Sequence, residues 1–356
     1  MPVHAERIKS FQRRFGLQLP ILLAPMAGAS PPQMSIAVER AGSMGALGAL
    51  LMQPAEIAAW CNEVHAAGDG RFQVNLWIPD PPPSRDAANE SRWREFLSVW
   101  GPEVASNAAD STPPDFNAQC DALIAARPLA ASSIMGLFPP TIVARLKQAR
   151  IAWFANVTTV AEARAAEAAG ADVIVAQGAE AGGHRGCFQA AQAERTQVGL
   201  FALLPAVLDA VKVPVIATGG IADARGIAAA LVMGASAVQI GTGLLRCPEE
   251  QLPMAWADAL ATTAPEDIVL TRAFSGRAGR ALATAYVHAT LEKHAPPAAP
   301  YPVQRGLTAA MRRTAQSTND LSRMQAWAGQ SAALARAEPA GQLLHSLWSG
   351  AQQLMS

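Results

Sequence analysis

Short apolar runs alternate with alanine-rich, amphipathic stretches from residue 21 onward, and this alternation constrains the fold more than any other feature. Near-continuous apolar runs are typical of parallel strands that are buried on both faces of a sheet. Parallel strands need crossover connections, and the stretches 160–169 and 224–233 have the apolar spacing of crossover helices. The predicted strands are Ile21–Pro25, Gly45–Leu50, Phe72–Trp77, Ala131–Ile134, Ile151–Asn156, Asp172–Gln177, Pro214–Thr218 and Ala237–Gly241.

Eight strand–helix units in this order predict an α/β protein with a (β/α)8 TIM barrel, whose usual size is about 250 residues. A doubly wound open sheet is the structural alternative. We expect the barrel domain to span residues 1–245, with a proline-rich insertion at 79–115 after the third strand. We predict no strand after Leu245, and residues 246–356 are expected to form a helical cap that binds substrate.

Charge and hydropathy exclude several classes of protein. The 28 basic and 28 acidic residues cancel, which argues against recruitment by nucleic acid or by an anionic membrane. The uncharged stretch 227–245 contains glycines and polar residues, so a buried helix, a turn and a buried strand explain it better than a membrane span. The N-terminus shows no apolar signal segment, and we expect a cytoplasmic protein. Four widely spaced cysteines indicate reduced, buried thiols and no metal site.

Glycines follow the last two predicted strands and indicate a phosphate site. Gly219 and Gly220 end the seventh strand, while Gly241 and Thr242 end the eighth. In TIM barrels these two loops commonly bind phosphate through backbone N–H groups, and a Cβ would hold the backbone away from the anion. Ordinary tight turns are the alternative. Asp223 is the predicted N-cap of the helix that follows Gly220.

A second glycine-rich segment follows the sixth strand and carries His184. We expect Gln177 to leave the end of that strand and a flexible loop to hold His184 over the barrel mouth. Histidine has an unperturbed pKa near 6.5, which suits proton transfer or binding of an anionic substrate. A surface histidine on a mobile loop is the alternative. Glu180, in the same segment, is equally compatible with a supporting or a merely solvated carboxylate.

The remaining polar groups at the strand ends indicate an organic cofactor. Pro25, Met26 and Ala27 follow the first strand, where backbone amides and a thioether suit a flat ring. Asn75 is a polar residue in an apolar strand, so either a neighbouring backbone or a ligand satisfies it. No lysine and no pair of carboxylates stands at a strand end, which argues against Schiff-base chemistry and glycoside hydrolysis. A mouth with these groups and one histidine favours a bound cofactor as the reactive species.

Five segments together resemble the nitronate monooxygenases, also called 2-nitropropane dioxygenases. They read APMAG (24–28), VNLW (74–77), AQGAEAGGHRG (176–186), ATGGI (217–221) and QIGTG (239–243). The resemblance implies an FMN-bearing TIM barrel that oxidises alkyl nitronates with O₂ to a carbonyl compound and nitrite. The implied partners are therefore a small nitronate or nitroalkane and O₂. A monomer and a homodimer are both compatible with the sequence.

The resemblance also implies roles for individual residues. His184 matches the family histidine beside the flavin, which acts as a base toward neutral nitroalkanes or binds the nitro group. The backbone near Met26 would lie beneath the flavin ring. The residues expected to hold FMN are Pro25, Met26, Ala27, Asn75, Gln177, Gly182, Gly183, Gly219, Gly220, Gln239, Gly241 and Thr242.

Two departures from the family pattern leave the substrate open. Segment 133–138 lacks the histidine that bacterial members usually carry after the fourth strand. The segment after Tyr301-Pro302 lacks a further tyrosine and a lysine. The alternatives are an NAD(P)H-dependent FMN reductase of quinones or enoyl thioesters, and a flavin-binding protein without enzymatic activity.

Overall fold

The computed structural model describes residues 3–356, with side chains from residue 5 onward. The strands are β1 (Ile21–Leu23), β2 (Gly45–Gly48), β3 (Phe72–Trp77), β4 (Ala130–Ile134), β5 (Ala152–Val157), β6 (Val173–Gln177), β7 (Gly183–His184), β8 (Val215–Thr218), β9 (Ala237–Ile240), β10 (Ile268–Thr271) and β11 (Gly279–Leu282). Eight of them form one parallel sheet in the order β1-β9-β8-β6-β5-β4-β3-β2, and a parallel bridge between Leu22 and Met44 joins its two edges. The sheet is thereby a (β/α)8 barrel, as predicted.

Helices connect most of the barrel strands, and polar side chains fix where several of them begin. Asp223, the predicted N-cap, accepts a hydrogen bond from the Gly226 backbone at 3.0 Å, and Thr159 caps its helix in the same way. The helices are α1 (Val3–Phe15), α2 (Pro32–Arg40), α3 (Pro54–Ala67), α4 (Ala87–Leu97), α5 (Phe116–Ala126), α6 (Pro140–Gln148), α7 (Val160–Ala168), α8 (Leu200–Ala210), α9 (Ala224–Met233), α10 (Met254–Thr262), α11 (Ala285–Leu291), α12 (Val303–Leu307), α13 (Ala309–Ser317) and α14 (Ala340–Met355).

Helix α1 closes the N-terminal end of the barrel. Its Phe11 and Phe15 are buried with inward residues of the strands, and the Phe15 ring meets Phe154 of β5 edge-on at 5.2 Å. This aromatic plug leaves the opposite end, where the strands finish, as the place for a ligand cavity.

The prediction that strands stop after Leu245 is wrong. Strands β10 and β11 form an antiparallel pair, and β11 also pairs with β7, so that Gly279 lies opposite His184. This three-stranded sheet joins a segment that follows the barrel to the loop after β6. Because the paired strands are far apart along the chain, no local sequence pattern predicts their pairing. The pairing also means that the predicted flexible loop around His184 is partly a strand.

The other parts of the C-terminal region take two positions. Helix α14 packs against α9 and α2 on the flank of the barrel, whereas α12 and α13 lie beside the mouth, with three arginines in its wall. Segment 227–245 forms most of α9, a turn and β9, as predicted. Among residues 3–356, no helix is long and apolar enough to cross a membrane. The division at residue 245 and the bounds 79–115 stay predictions.

Candidate active site

A cavity of about 470 Å³ opens at the C-terminal ends of the barrel strands. Its size lies within the range of about 300–1,000 Å³ that is typical of small-molecule sites. No aspartate or glutamate is among the described residues of its wall, whereas Arg305, Arg312 and Arg313 are. The wall includes every predicted site residue: Pro25, Met26, Ala27, Asn75, Gln177, Gly182, Gly183, His184, Gly219, Gly220, Gln239, Gly241 and Thr242.

The glycine pair after β8 has a backbone that other residues avoid. Gly219 and Gly220 have φ values of +105° and +71°. A Cβ on Gly219 would come within 3.2 Å of the Ala181 backbone nitrogen. Helix α9 begins four residues after Gly220, so its N-terminus lies on this side of the cavity. A glycine turn before a helix N-terminus is a suitable anion site.

The segment after β9 is held by a contact with a distant part of the chain, at Gly329. Thr242 Oγ1 accepts a hydrogen bond from the Gly329 backbone at 2.9 Å. A Cβ on Gly182 would lie 2.5 Å from that same Gly329 nitrogen. The two chain segments therefore approach each other too closely for a side chain at residue 182. Gly182 is therefore required by packing, in addition to any role toward a ligand.

Strand β3 lines the cavity with every second residue. Gln73, Asn75 and Trp77 all face it, as expected from the two-residue period of a strand. Asn75 donates to Ser132 Oγ at 3.0 Å. Gln73 was missed by sequence reasoning, although its spacing from Asn75 carried the signal. Its Nε2 donates to Gln239 Oε1 at 3.0 Å, while its buried Oε1 has no described partner.

Asn156 of β5 complements Gln73. Its buried Nδ2 donor faces no described acceptor, and the residue lines the same cavity. Sequence analysis named no site role for it. The side chains of the cavity wall therefore include one unpaired acceptor, Gln73 Oε1, and three unpaired donors, Asn156 Nδ2 and the indole N–H groups of Trp77 and Trp256. Such groups normally find a partner when they are buried.

The side chain of Gln177 is engaged within the protein. Its Nε2 donates to the His184 carbonyl oxygen at 3.2 Å, and its Oε1 accepts from the Gly186 backbone at 2.8 Å. These bonds tie β7 to the end of β6. Glu180 has a comparable role, because its carboxylate accepts from the Leu200 backbone N–H at 2.9 Å and so holds the start of α8.

His184 is held by contacts on several sides. Its Nε2 lies 2.7 Å from Ser275 Oγ, and its ring is 4.8 Å from both Trp77 and Trp327. Ser275 Oγ donates to the Arg277 carbonyl oxygen at 3.2 Å. In the tautomer that carries its proton on Nε2, His184 would donate to Ser275 Oγ and keep on Nδ1 the lone pair that a base needs.

The electrostatic environment keeps His184 neutral. Burial, followed by the positive charges of Arg305, Arg277 and Arg312, lowers its pKa to about 3. A surface histidine on a mobile loop is therefore not what the structure shows. Sequence reasoning placed His184 at the mouth but assigned no site role to Ser275 or to the arginines, which come from segments far along the chain.

Two partly buried cations, Arg305 and Arg312, border the same cavity. Arg312 donates to Thr308 Oγ1 and to the Arg305 carbonyl oxygen, both neutral groups. Burial and the neighbouring Arg305 lower the pKa of Arg312 to about 9. Neither guanidinium pairs with a carboxylate among the described residues. This end of the cavity favours an anion.

Metal and disulfide chemistry have no candidate site in the structure. Across residues 3–356, no group of three or more His, Cys, Asp or Glu residues is arranged to hold a metal ion. All four cysteines are buried and free. Of the two neighbouring serines of β4, Ser132 lines the cavity, whereas Ser133 accepts from the Trp153 indole at 3.0 Å, away from it.

Comparisons with known proteins agree with this arrangement. The family model described as nitronate monooxygenase matches residues 9–350. The nitronate monooxygenase of Paraburkholderia phytofirmans is 36% identical over 339 residues, covering 93% of this chain and 92% of that protein. The probable nitronate monooxygenase of Bacillus subtilis is 34% identical over 327 residues, covering 91% and 93%.

Solved structures show the same likeness. The nitroalkane oxidase of Streptomyces ansochromogenes superposes with a TM-score of 0.85 at 33% identity, covering 96% of this chain and 98% of that one. FabK from Thermotoga maritima superposes with a TM-score of 0.74 at 25% identity, covering 97% and 96%.

Proposed function

The chain belongs to the nitronate monooxygenase family, and we propose that it is an FMN-dependent enzyme that oxidises alkyl nitronates with O₂ to a carbonyl compound and nitrite. As a member of this family it is an oxidoreductase of the flavin-dependent monooxygenase type. The observation that carries the finer proposal is that every predicted FMN-binding residue lines the same cavity as His184.

The groups in the cavity wall fit FMN. Gly219 and Gly220 offer backbone N–H groups to a phosphate where no side chain intervenes. The unpaired Gln73 Oε1 and Asn156 Nδ2 complement the edge of a flavin ring, which has both an N–H donor and carbonyl acceptors. When bound, FMN supplies the electron-accepting ring and its reactivity toward O₂.

The protein's own residues would bind and orient the substrate. A nitronate carries a negative charge, and the acid-free wall with Arg305 and Arg312 favours that charge. His184, neutral and held by Ser275, would remove the α-proton from a neutral nitroalkane. The packed rings of Trp77 and Trp327 hold the imidazole in place.

Oxygen consumption and nitrite release test this function. The purified yellow protein is mixed with ethyl nitronate in air, and heat-released cofactor is identified by chromatography. We expect nitrite, oxygen uptake and FMN. A cofactor that migrates as FAD, or a yellow protein that releases no nitrite from any nitronate, would overturn the proposal.

Alanine at Asn156 should weaken FMN retention. Removing the amide leaves a flavin carbonyl without a donor in a buried site, which costs about 1–3 kcal/mol, or roughly tenfold to a hundredfold in Kd. FMN affinity is measured by titrating the apoprotein and following flavin fluorescence. Asn107→Ala, at an exposed position outside the cavity, is the matched control. Equal affinities in both variants would assign Asn156 a purely structural role.

Replacing Ser275 by alanine should slow proton removal selectively. The variant loses the hydroxyl that is hydrogen-bonded to His184 Nε2, so the imidazole is less well oriented. We expect kcat for nitroethane to fall by about tenfold and kcat for ethyl nitronate to change much less. Ser275→Thr, which keeps the hydroxyl, should restore most of the difference. Equal losses with both substrates would show that Ser275 only stabilises the fold.

A further inference from the structure

A second cavity, of about 530 Å³, lies beside the active site between the segment after β3 and α12. Seven prolines line it, including Pro79, Pro113 and Pro302. Proline has no backbone N–H and a fixed φ, so this wall is rigid and poor in donors. We call it the proline-lined cavity. Its rigidity and apolar surface suit a hydrophobic ligand.

The charged and amide groups of this wall are already paired. Arg85 donates to Asp110 at 3.0 Å, Asp80 accepts from Arg277 at 2.8 Å, and Gln119 donates to the Met52 carbonyl oxygen at 2.9 Å. The proline-lined cavity therefore does not select an ion.

Two hydrogen-bond donors in the wall have no described acceptor. The Trp77 indole N–H and the Tyr301 hydroxyl are both buried, in side chains that are only 6% and 8% exposed. Their rings stack at 4.9 Å with an interplanar angle of 14°. Buried donors normally find a partner, and an oxygen acceptor on a ligand would reach these two once the stacked rings move apart.

The two cavities are neighbours with shared walls. Leu50 and Trp77 line both of them. Trp77 contacts His184 edge-on at 4.8 Å and Tyr301 face-on, so it stands between the candidate base and the proline-lined cavity. Trp77 therefore separates the two cavities, and a substituent of a substrate bound at His184 would enter the second cavity only when this side chain moves aside.

We propose that the proline-lined cavity receives the substituent of the substrate, and that this chain acts on nitronates with a long or aromatic apolar substituent that carries an oxygen acceptor. The inference rests on the proposed function and specifies its substrate class. Small nitronates use only the first cavity, whereas extended ones bury their chain among the prolines and accept a hydrogen bond from Trp77 or Tyr301.

The test compares kcat/KM for ethyl nitronate, hexyl nitronate and a hexyl analogue with one methylene replaced by an ether oxygen. Thr112 is exposed and lines only the proline-lined cavity, so Thr112→Trp should fill it. We expect the hexyl-to-ethyl ratio to fall by about tenfold or more in that variant. Val99→Trp adds the same bulk at an 83% exposed position outside both cavities and should leave the ratio unchanged.

Tyr301→Phe tests the hydrogen bond separately, because it keeps the stacked ring. The preference for the ether analogue over hexyl nitronate should drop by about threefold to tenfold, the usual worth of one hydrogen bond. If the folded Thr112→Trp protein turns over ethyl nitronate and its hexyl-to-ethyl ratio of kcat/KM equals that of the wild type, the inference is overturned while the proposed function stands. Absence of turnover with every nitronate would instead overturn the proposed function, and the inference with it.

Discussion

His184→Asn should lower kcat/KM for a neutral nitroalkane far more than kcat/KM for a nitronate. A nitronate already carries the electron pair at carbon, whereas a neutral nitroalkane must first lose a proton to a base. A positioned base is typically worth about 10²–10⁴-fold, so kcat/KM for nitroethane should fall by that much and kcat/KM for ethyl nitronate by far less. Both are measured as nitrite release with FMN bound.

The pH profile of the wild-type enzyme gives an independent check. A base works when it is unprotonated, and burial together with nearby arginines lowers the pKa of His184 to about 3. Turnover of nitroethane should therefore stay level from neutral pH down to roughly pH 4 and decline only below that. An acid limb near pH 6.5 would show that His184 is not desolvated in the working enzyme.

Two other outcomes of His184→Asn would assign the side chain a different role. Equal, large losses with both substrates would mean that His184 binds the nitro group in both reactions, and the assignment as base would be wrong. Equal, small losses with FMN still bound would mean that the side chain is only structural.

Gly220→Val should yield colourless protein. Gly220 has a φ of +71°, which a β-branched residue tolerates poorly, and a Cβ there would lie 3.2 Å from Glu180 Cβ. Relief of this strain and of the contact with Glu180 would displace the backbone N–H groups that the proposed phosphate needs. We expect FMN affinity to fall by more than about a hundredfold, measured by titration of apoprotein.

Gly16→Val is the matched control for this substitution. Gly16 has a similar φ of +65° and lies outside the cavity, and a Cβ at this position would meet no other atom within 4 Å. The variant should carry the same backbone strain and keep its FMN. If the folded Gly220→Val protein, verified by circular dichroism, bound FMN like the wild type, the phosphate would not lie at this turn.

The barrel was predictable because its signals are local. Phe72–Trp77 has the same bounds in the prediction and in the structure, since a buried apolar run and its flanking turns mark a strand without reference to the rest of the chain. The predicted site residues converged because every parallel strand of a barrel delivers its C-terminal end to one mouth.

The surroundings of His184 were not predictable in the same way. Strand β11, Ser275 and Arg305 reach it from far along the chain, and their contacts depend on tertiary packing. A glycine-rich segment alone suggested mobility, whereas pairing with β11 and burial give it a fixed position. Gln73 was a different case, because the alternation of β3 already placed it on the same face as Asn75.

The most direct test of the central claim is anaerobic mixing of the purified yellow protein with ethyl nitronate and, separately, with NADH. The visible absorbance of the bound flavin is recorded in both experiments. Oxidation of nitronates by the cofactor in this cavity predicts rapid bleaching by ethyl nitronate and none by NADH. Bleaching by NADH with no response to any nitronate would contradict it and would identify the protein as a nicotinamide-dependent reductase.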